Sequence, residues 1–99
     1  MDDFAVRADA EGVLWLTGEF DLAALDEFQT VVDAVLDAQR EIVLDLSELT
    51  FLDSTGIRAI LVVAGRVGEG VIIRRPTPPV RRVLDLVGID GHRGIRIED

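Results

Sequence analysis

Apolar and polar residues alternate in two short segments near the start of the chain, which is the pattern of β-strands with one buried face. The first segment covers residues 4–8 and the second covers residues 13–20. In the second, Leu14 and Leu16 point to one side of the strand and Trp15 points to the other. We therefore expect a β-hairpin in which Trp15 is partly exposed or lies under the N-terminal strand.

Further along the chain, segments with apolar residues at every third or fourth position alternate with short apolar runs. The first pattern is typical of amphipathic helices and the second of buried strands. The predicted helices cover residues 22–38, 55–67 and 79–87, and the predicted strands cover residues 42–46, 71–73 and 95–97.

The residues at the ends of the predicted helices are those expected of helix caps. Asp21 is the predicted N-cap of the first helix. Thr77, which is followed by two prolines, is predicted to cap the third helix. Gly68 and Gly70 are expected to end the second helix, and Gly88 the third.

These elements follow one another in the order ββαβαβαβ. Strands that alternate with single helices form parallel sheets through right-handed crossovers, whereas the initial hairpin is antiparallel. The sequence therefore predicts an α/β fold in a single domain over residues 1–99, with a mixed sheet of about four to five strands and the helices mainly on one side. The predicted core includes Leu14, Leu16, Phe28, Leu44, Leu61 and Leu84.

Composition and charge narrow the classes of function. The 99 residues carry a formal net charge of −9, which disfavours direct binding to nucleic acid because phosphates are repelled. There is no cysteine, which excludes disulfides and thiolate metal sites. Neither a membrane-spanning run nor a signal peptide is recognisable, so we expect a cytoplasmic protein. The arginines between residues 74 and 82 are expected to form a solvated surface, with docking of an acidic partner as the alternative.

The segment that joins the strand at 42–46 to the second helix carries acidic and hydroxyl side chains. Asp53, Ser54 and Thr55 come directly before the helical apolar pattern. Their side-chain oxygens are suited to accept hydrogen bonds from the first free amides of the helix, which is the ordinary structural interpretation. Ser54 is also placed where a regulatory phosphate could be attached.

A catalytic or metal-binding role for this corner has little support in the sequence. A serine nucleophile needs a base, but the single histidine, His92, falls in a glycine-rich turn and is predicted to be a loop residue. Asp45, Glu48 and Asp53 are of the type that binds hard cations, yet their spacing matches no known loop, and solvated acidic turn residues are the simpler interpretation. We therefore expect a protein that is not an enzyme, with no metal and no cofactor.

Three motifs, taken in order, resemble those of the STAS domain family. They are TGEFD at residues 17–21, DSTG at residues 53–56 and PVRRVLDLVG at residues 79–88. Each motif alone is weak, but the three agree with the predicted order of strands and helices and cover almost the whole chain. Within that family, the chain resembles the bacterial anti-sigma factor antagonists.

The resemblance implies a phosphorylation switch that regulates transcription. Unphosphorylated members of the family bind an anti-sigma factor that is itself a serine kinase of the histidine-kinase-like ATPase fold, and this frees the sigma factor. The kinase phosphorylates the serine after the motif's aspartate, which is Ser54 here, and the complex dissociates. A PP2C-type phosphatase resets the switch. By the same resemblance, the docking surface includes Glu19, Asp21, Asp53, Thr55, Gly56 and Arg58.

Two other functions remain open from the sequence. One is a constitutive STAS subunit of a larger assembly, such as a phospholipid-transport ABC system or a stressosome-like scaffold. The other is a small enzyme in which Ser54 or Asp53 is the nucleophile. The second helix is about one turn shorter than is usual in the family and no helix follows the last strand, so we expect uncovered apolar surface there.

Overall fold

The computed structural model of the chain describes residues 3–36 and 41–99. Its strands are β1 (Ala5–Ala8), β2 (Val13–Phe20), β3 (Ile42–Leu52), β4 (Val71–Arg74) and β5 (Ile95–Glu98). They form one five-stranded sheet in which the strands lie side by side in chain order. β1 and β2 are antiparallel, and the later neighbouring pairs are parallel. The predicted mixed sheet is confirmed.

The helices are α1 (Leu25–Leu36), α2 (Ser54–Arg66) and α3 (Pro78–Leu86), and a 3₁₀ turn at Leu22–Ala24 precedes α1. Right-handed crossovers that all advance in the same direction place their helices on the same face of a sheet. In agreement, residues of all three helices belong to one hydrophobic core together with the strands. Residues 37 and 38, the predicted end of the first helix, lie outside the described residues.

Most of the predicted core residues are buried. They are Leu14, Leu16, Phe28, Leu44 and Leu84. The prediction is wrong for Leu61, which is only partly buried and packs against the margin of the core. The apolar stripe of α2 is centred on other positions, so Leu61 falls at its edge. The buried residues of α2 are Gly56, Ile57, Ala59, Ile60, Val63 and Ala64.

β3 is longer than the sequence predicts, because it continues to Leu52 instead of ending at residue 46. Its neighbour β2 pairs with it along its whole length, and Phe20 at the end of β2 lies opposite Leu52. Two register shifts in this ladder accommodate additional residues in β3. Glu48 therefore lies in a strand and not in an acidic turn.

Three of the predicted caps, Asp21, Thr77 and Gly88, lie at the expected helix ends, but not all of them act through their side chains. The helix α2 ends at Arg66 with Val67 as its C-cap, before Gly68 and Gly70. The Oδ1 atom of Asp21 accepts a hydrogen bond from the amide of Ala23 over 3.1 Å and so caps the 3₁₀ turn. Thr77 precedes α3, but its hydroxyl donates to the carbonyl oxygen of Leu49 over 2.8 Å. That bond ties the start of α3 to β3. Gly88 follows α3 in the left-handed conformation, with φ of +68°, as expected of a helix stop.

The face of the sheet that the helices leave uncovered carries a row of side chains, one from each strand. In register, the row is Arg7, Trp15, Asp45, Arg74 and Glu98. Trp15 is partly buried, as predicted. The guanidinium carbons of three arginines lie 5.3, 5.5 and 5.6 Å from the centroid of its ring, within the range of cation–π contacts.

Asp45 is fully buried in this row, although the sequence predicts a solvated side chain. Its Oδ1 atom accepts hydrogen bonds from the amide and the hydroxyl of Ser47, over 2.9 and 2.6 Å. Its Oδ2 atom accepts hydrogen bonds from Arg74, over 3.0 Å, and from Arg75. Burial alone would raise the pKa of Asp45, but the hydrogen bonds from Ser47, Arg75 and Arg74 outweigh it and lower the pKa to about 2.

The Asp45→Asn substitution should lower the free energy of unfolding by about 2 kcal/mol at pH 7, because each unit by which folding lowers a pKa corresponds to about 1.4 kcal/mol. Since folding lowers this pKa, the stabilisation is complete above the ordinary value of 3.8 and is lost as the pH falls through about 2. Urea unfolding of both proteins between pH 7 and about pH 1.5 measures the difference.

The matched control is Asp85→Asn, because Asp85 is an exposed carboxylate paired with Arg81 over 3.0 Å. It should change the free energy of unfolding by less than about 0.5 kcal/mol. A stability difference between wild type and Asp45→Asn that stays constant down to the lowest pH would contradict the role assigned to the buried carboxylate.

Candidate functional site

The turn after β2 and the start of α2 meet at the edge of the sheet where β2 and β3 end. The amide of Asp53 donates a hydrogen bond to the carbonyl oxygen of Phe20 over 3.3 Å. The hydroxyl of Thr50 donates to the carbonyl oxygen of Gly18 over 3.0 Å. These two bonds hold the two segments of the predicted docking surface next to each other.

Asp53 is the N-cap of α2. Its backbone is extended, and its Oδ1 atom accepts hydrogen bonds from the amides of Thr55 and Gly56, over 2.9 and 3.2 Å. Its carbonyl oxygen accepts the amide of Ile57 over 3.0 Å. The carboxylate of Asp53 therefore satisfies amides that the first turn of a helix otherwise leaves unpaired.

Ser54 is the first residue of α2 and is exposed. Within residues 3–36 and 41–99, its hydroxyl has no hydrogen-bond partner. The expectation that Ser54 shares in capping the helix is wrong, because Asp53 holds the amides. Thr55 is less accessible than Ser54, since it is partly buried.

Gly56 is buried where the first turn of α2 crosses the ends of β2 and β3. A Cβ atom at this position would lie 2.4 Å from Cδ1 of Leu52 and 3.0 Å from Cγ of Phe20. The ring of Phe20 has little room to give, since it packs between Phe4 and Phe28 with centroid distances of 5.0 and 4.8 Å. Gly56 therefore permits the close approach of α2 to the sheet.

A concavity with a volume of about 360 Å³ lies between the 3₁₀ turn and α2, and we call it the Ser54 groove. It is lined by Leu22, Leu25, Ser54, Thr55 and Arg58. Leu22 is 72% exposed and is one of several large apolar residues that the described part of the chain leaves in solvent. Sequence reasoning missed Leu22, because its spacing from Leu25 matches the apolar stripe of α1. Only the structure shows that it is left in solvent beside Ser54.

Glu19 and Asp21 do not line the Ser54 groove. They line a separate concavity of about 250 Å³ together with Asp3 and Glu27, and we call it the acidic surface. Four of the predicted docking residues are thus divided between two surfaces of different chemistry, and Asp53 and Gly56 line neither. One is largely apolar with a single cation, Arg58, and the other carries four carboxylates.

Other candidate chemistry identified in the sequence lies elsewhere. His92 follows α3 in a turn, as predicted, and its Nδ1 atom lies 2.8 Å from the carbonyl oxygen of Arg93. Arg81, from the predicted arginine surface, pairs with Asp85 and Asp99. Across the described ranges 3–36 and 41–99, no group of three or more histidine, aspartate or glutamate side chains is arranged to hold a metal ion.

No helix in the part of the chain that the structure describes has the length and apolar character needed to cross a membrane.

Comparisons with known proteins agree with this fold. A family model described as "Mlab, STAS domain" matches residues 4–97. The anti-sigma-F factor antagonist RsfB of Mycobacterium tuberculosis is 35% identical over 92 residues, covering 84% of this chain and 72% of RsfB. The crystal structure of an anti-sigma factor antagonist from Mycobacterium paratuberculosis has a TM-score of 0.75 at 27% identity, covering 97% of this chain and 86% of that protein.

A third relative shows the fold alone. The anti-sigma factor antagonist SpoIIAA in its unphosphorylated form has a TM-score of 0.73 at 20% identity, covering 98% of this chain and 89% of SpoIIAA. The chain belongs to the STAS domain family, as its motifs led us to expect. The relatives named here are anti-sigma factor antagonists, a class of regulatory binding proteins.

Substitutions at the start of α2 should separate the cap from the exposed hydroxyl. Asp53→Ala should lower the free energy of unfolding by about 1 kcal/mol, because the loss of an N-cap leaves helix amides unpaired. Ser54→Ala should change it by less than about 0.5 kcal/mol, since the hydroxyl has no partner to lose within the ranges 3–36 and 41–99. Urea unfolding followed by the fluorescence of Trp15 measures both. The reverse order of effects would contradict the assignment of Asp53 as the cap.

Proposed function

We propose that this protein is an anti-sigma factor antagonist that is switched by phosphorylation of Ser54. In its unphosphorylated form it binds an anti-sigma factor, which is a serine kinase of the histidine-kinase-like ATPase fold, and thereby frees a sigma factor. The kinase transfers the γ-phosphoryl group of ATP to Ser54 Oγ. A new P–O bond forms, the bond to ADP breaks and the hydroxyl loses its proton. A PP2C-type phosphatase hydrolyses the ester with water and releases inorganic phosphate.

The observation that carries this proposal is the exposed hydroxyl of Ser54 at the rim of the Ser54 groove, which has no hydrogen-bond partner among the described residues. Asp53, and not Ser54, holds the amides of α2, so modification of Ser54 leaves the cap intact. Thr55 is partly buried and is the poorer acceptor of the two neighbouring hydroxyls. These features support Ser54 as the phosphoacceptor.

A phosphate at Ser54 would affect binding far more than folding. It adds a charge of about −1.5 to −2 at neutral pH. In the free protein this charge remains in water, so the fold tolerates it. In a complex, the charge would be desolvated beside Asp53 and the apolar side chains of Leu22 and Leu25, which costs several kcal/mol when no partner compensates it. Binding is therefore lost while the fold is kept.

The two concave surfaces suggest how the kinase is recognised. We assign the Ser54 groove to the centre of the docking surface, with Leu22 as its apolar anchor. The acidic surface, with Glu19 and Asp21, flanks it and favours basic side chains of the partner. In this assignment Asp53 and Gly56 act by holding α2 in position.

Incubation with the cognate kinase and ATP should attach one phosphate, and fragmentation by mass spectrometry should place it on Ser54. The reason is the accessibility of this hydroxyl compared with that of Thr55. Ser54→Ala is the control and should abolish the modification. Phosphate on Thr55 or Thr50 in the wild-type protein would contradict the assignment.

The Ser54→Asp substitution should weaken kinase binding at least about tenfold, because its fixed charge would be desolvated at the interface. Ser54→Ala should keep the complex and make it resistant to release by ATP. Thr30→Asp, which adds the same charge on the exposed side of α1, is the control and should bind like wild type. Titration calorimetry of each variant against the kinase measures the affinities.

Equal affinities of the Ser54→Asp and Ser54→Ala variants would leave the phosphorylation switch without support. That result would favour the alternative, a constitutive STAS subunit of a larger assembly, in which the charge at position 54 does not control binding.

A further inference from the structure

Arg58 is the charged residue of the Ser54 groove. It is exposed, and within residues 3–36 and 41–99 it forms no ion pair. Other arginines of the chain, such as Arg66, Arg81 and Arg96, each contact a carboxylate. In the described part of the chain, Arg58 is therefore an unpaired cation on the same concave surface as Ser54.

Two of the first amides of α2, those of Thr55 and Gly56, are not free to bind a phosphate on Ser54. Oδ1 of Asp53 already accepts hydrogen bonds from the amides of Thr55 and Gly56, over 2.9 and 3.2 Å. A phosphate could use these amides only by displacing the carboxylate, and it would then lie beside a second anion. The carboxylate of Asp53 already places a negative charge at this helix N-terminus, which weakens its attraction for a second anion.

We infer that Arg58, and not the N-terminus of α2, is the intramolecular partner of a phosphate on Ser54. The two residues are four positions apart on one helix, which places their Cβ atoms about 5–6 Å apart on the same face. An anion that precedes a cation at this spacing has the favourable orientation relative to the helix. The guanidinium group binds two phosphate oxygens through parallel hydrogen bonds, which gives this contact its geometry.

This inference rests on the proposed modification of Ser54 and adds a second element to the switch. In the unphosphorylated protein, Arg58 is free to contact an acidic group of the kinase. In the phosphorylated protein, the phosphate holds Arg58 along the groove beside Leu22. Phosphorylation therefore adds negative charge to the docking surface and also withdraws its positive charge.

The test uses the full chain with phosphoserine incorporated at position 54 during synthesis, so that no kinase is needed. ³¹P NMR follows the second ionisation of the phosphate, whose ordinary pKa is about 6, in the wild-type, Arg58→Gln and Arg58→Lys backgrounds. This pKa should be at least about 0.3 units lower with Arg58 than with glutamine, and lysine should give an intermediate value. The resonance of the Arg58 Nε–H group should also move when Ser54 is phosphorylated.

Arg66→Gln is the matched control. Arg66 lies on the same helix, roughly three turns from Ser54, and pairs with Asp33 over 3.0 Å. It should leave the phosphate titration unchanged. Equal phosphate pKa values in the wild-type and Arg58→Gln proteins, or an unmoved Nε–H resonance, would overturn the inference.

The outcome is separable from that of the proposed function. If Arg58→Gln leaves the phosphate pKa unchanged while the kinase still phosphorylates Ser54, only the role of Arg58 is overturned. If the phosphate pKa depends on Arg58 but the kinase does not phosphorylate Ser54, only the proposed switch is overturned.

Discussion

The order of the strands is the constraint on which the rest of this structure depends. Because β2 to β5 are parallel and lie next to one another in chain order, each crossover advances by one strand in the same direction. The strong preference for right-handed crossovers then places the three helices on one face. The carboxyl ends of β2 and β3 lie side by side, and the segments leaving them begin the 3₁₀ turn and α2. The Ser54 groove is the space between those two helical starts.

Neighbouring side chains at the start of α2 differ in what they do: some hold the helix in place and others are exposed to solvent. Asp53 pairs the helix amides, and Gly56 permits close packing against the sheet. Ser54 and Arg58 are exposed and contribute little to the capping or the packing of the helix. A site built in this way tolerates a covalent change, because the groups that hold the helix are not the group proposed to be modified. Under the proposed switch, the fold is the same in both states and only the surface offered to a partner differs.

Charge is organised differently on the two faces of the sheet. The chain is acidic as a whole, yet the uncovered face concentrates arginines around Trp15, and the buried carboxylate of Asp45 holds two of them in place. Near the helix starts, the acidic surface gathers carboxylates, and Arg58 stands beside it without a partner among the described residues. Within the largely apolar Ser54 groove, the cation of Arg58 attracts an added phosphate more than the other lining side chains do.

Local patterns determined the secondary-structure elements of this protein and the place of its candidate site in them, because hydrophobic spacing and cap residues depend only on near neighbours in the chain. The sheet, the helices and the position of Ser54 at a strand-to-helix corner could all be predicted in this way. Tertiary structure alone decided that Asp45 is buried, that β3 continues to Leu52, that Asp53 caps α2 while Ser54 stays free, and that Leu22 is exposed. The burial of Asp45, the length of β3 and the exposure of Leu22 depend on contacts with other strands and helices. Which of Asp53 and Ser54 caps α2 depends on the backbone geometry of the first turn of that helix. None leaves a periodic signal in the local sequence.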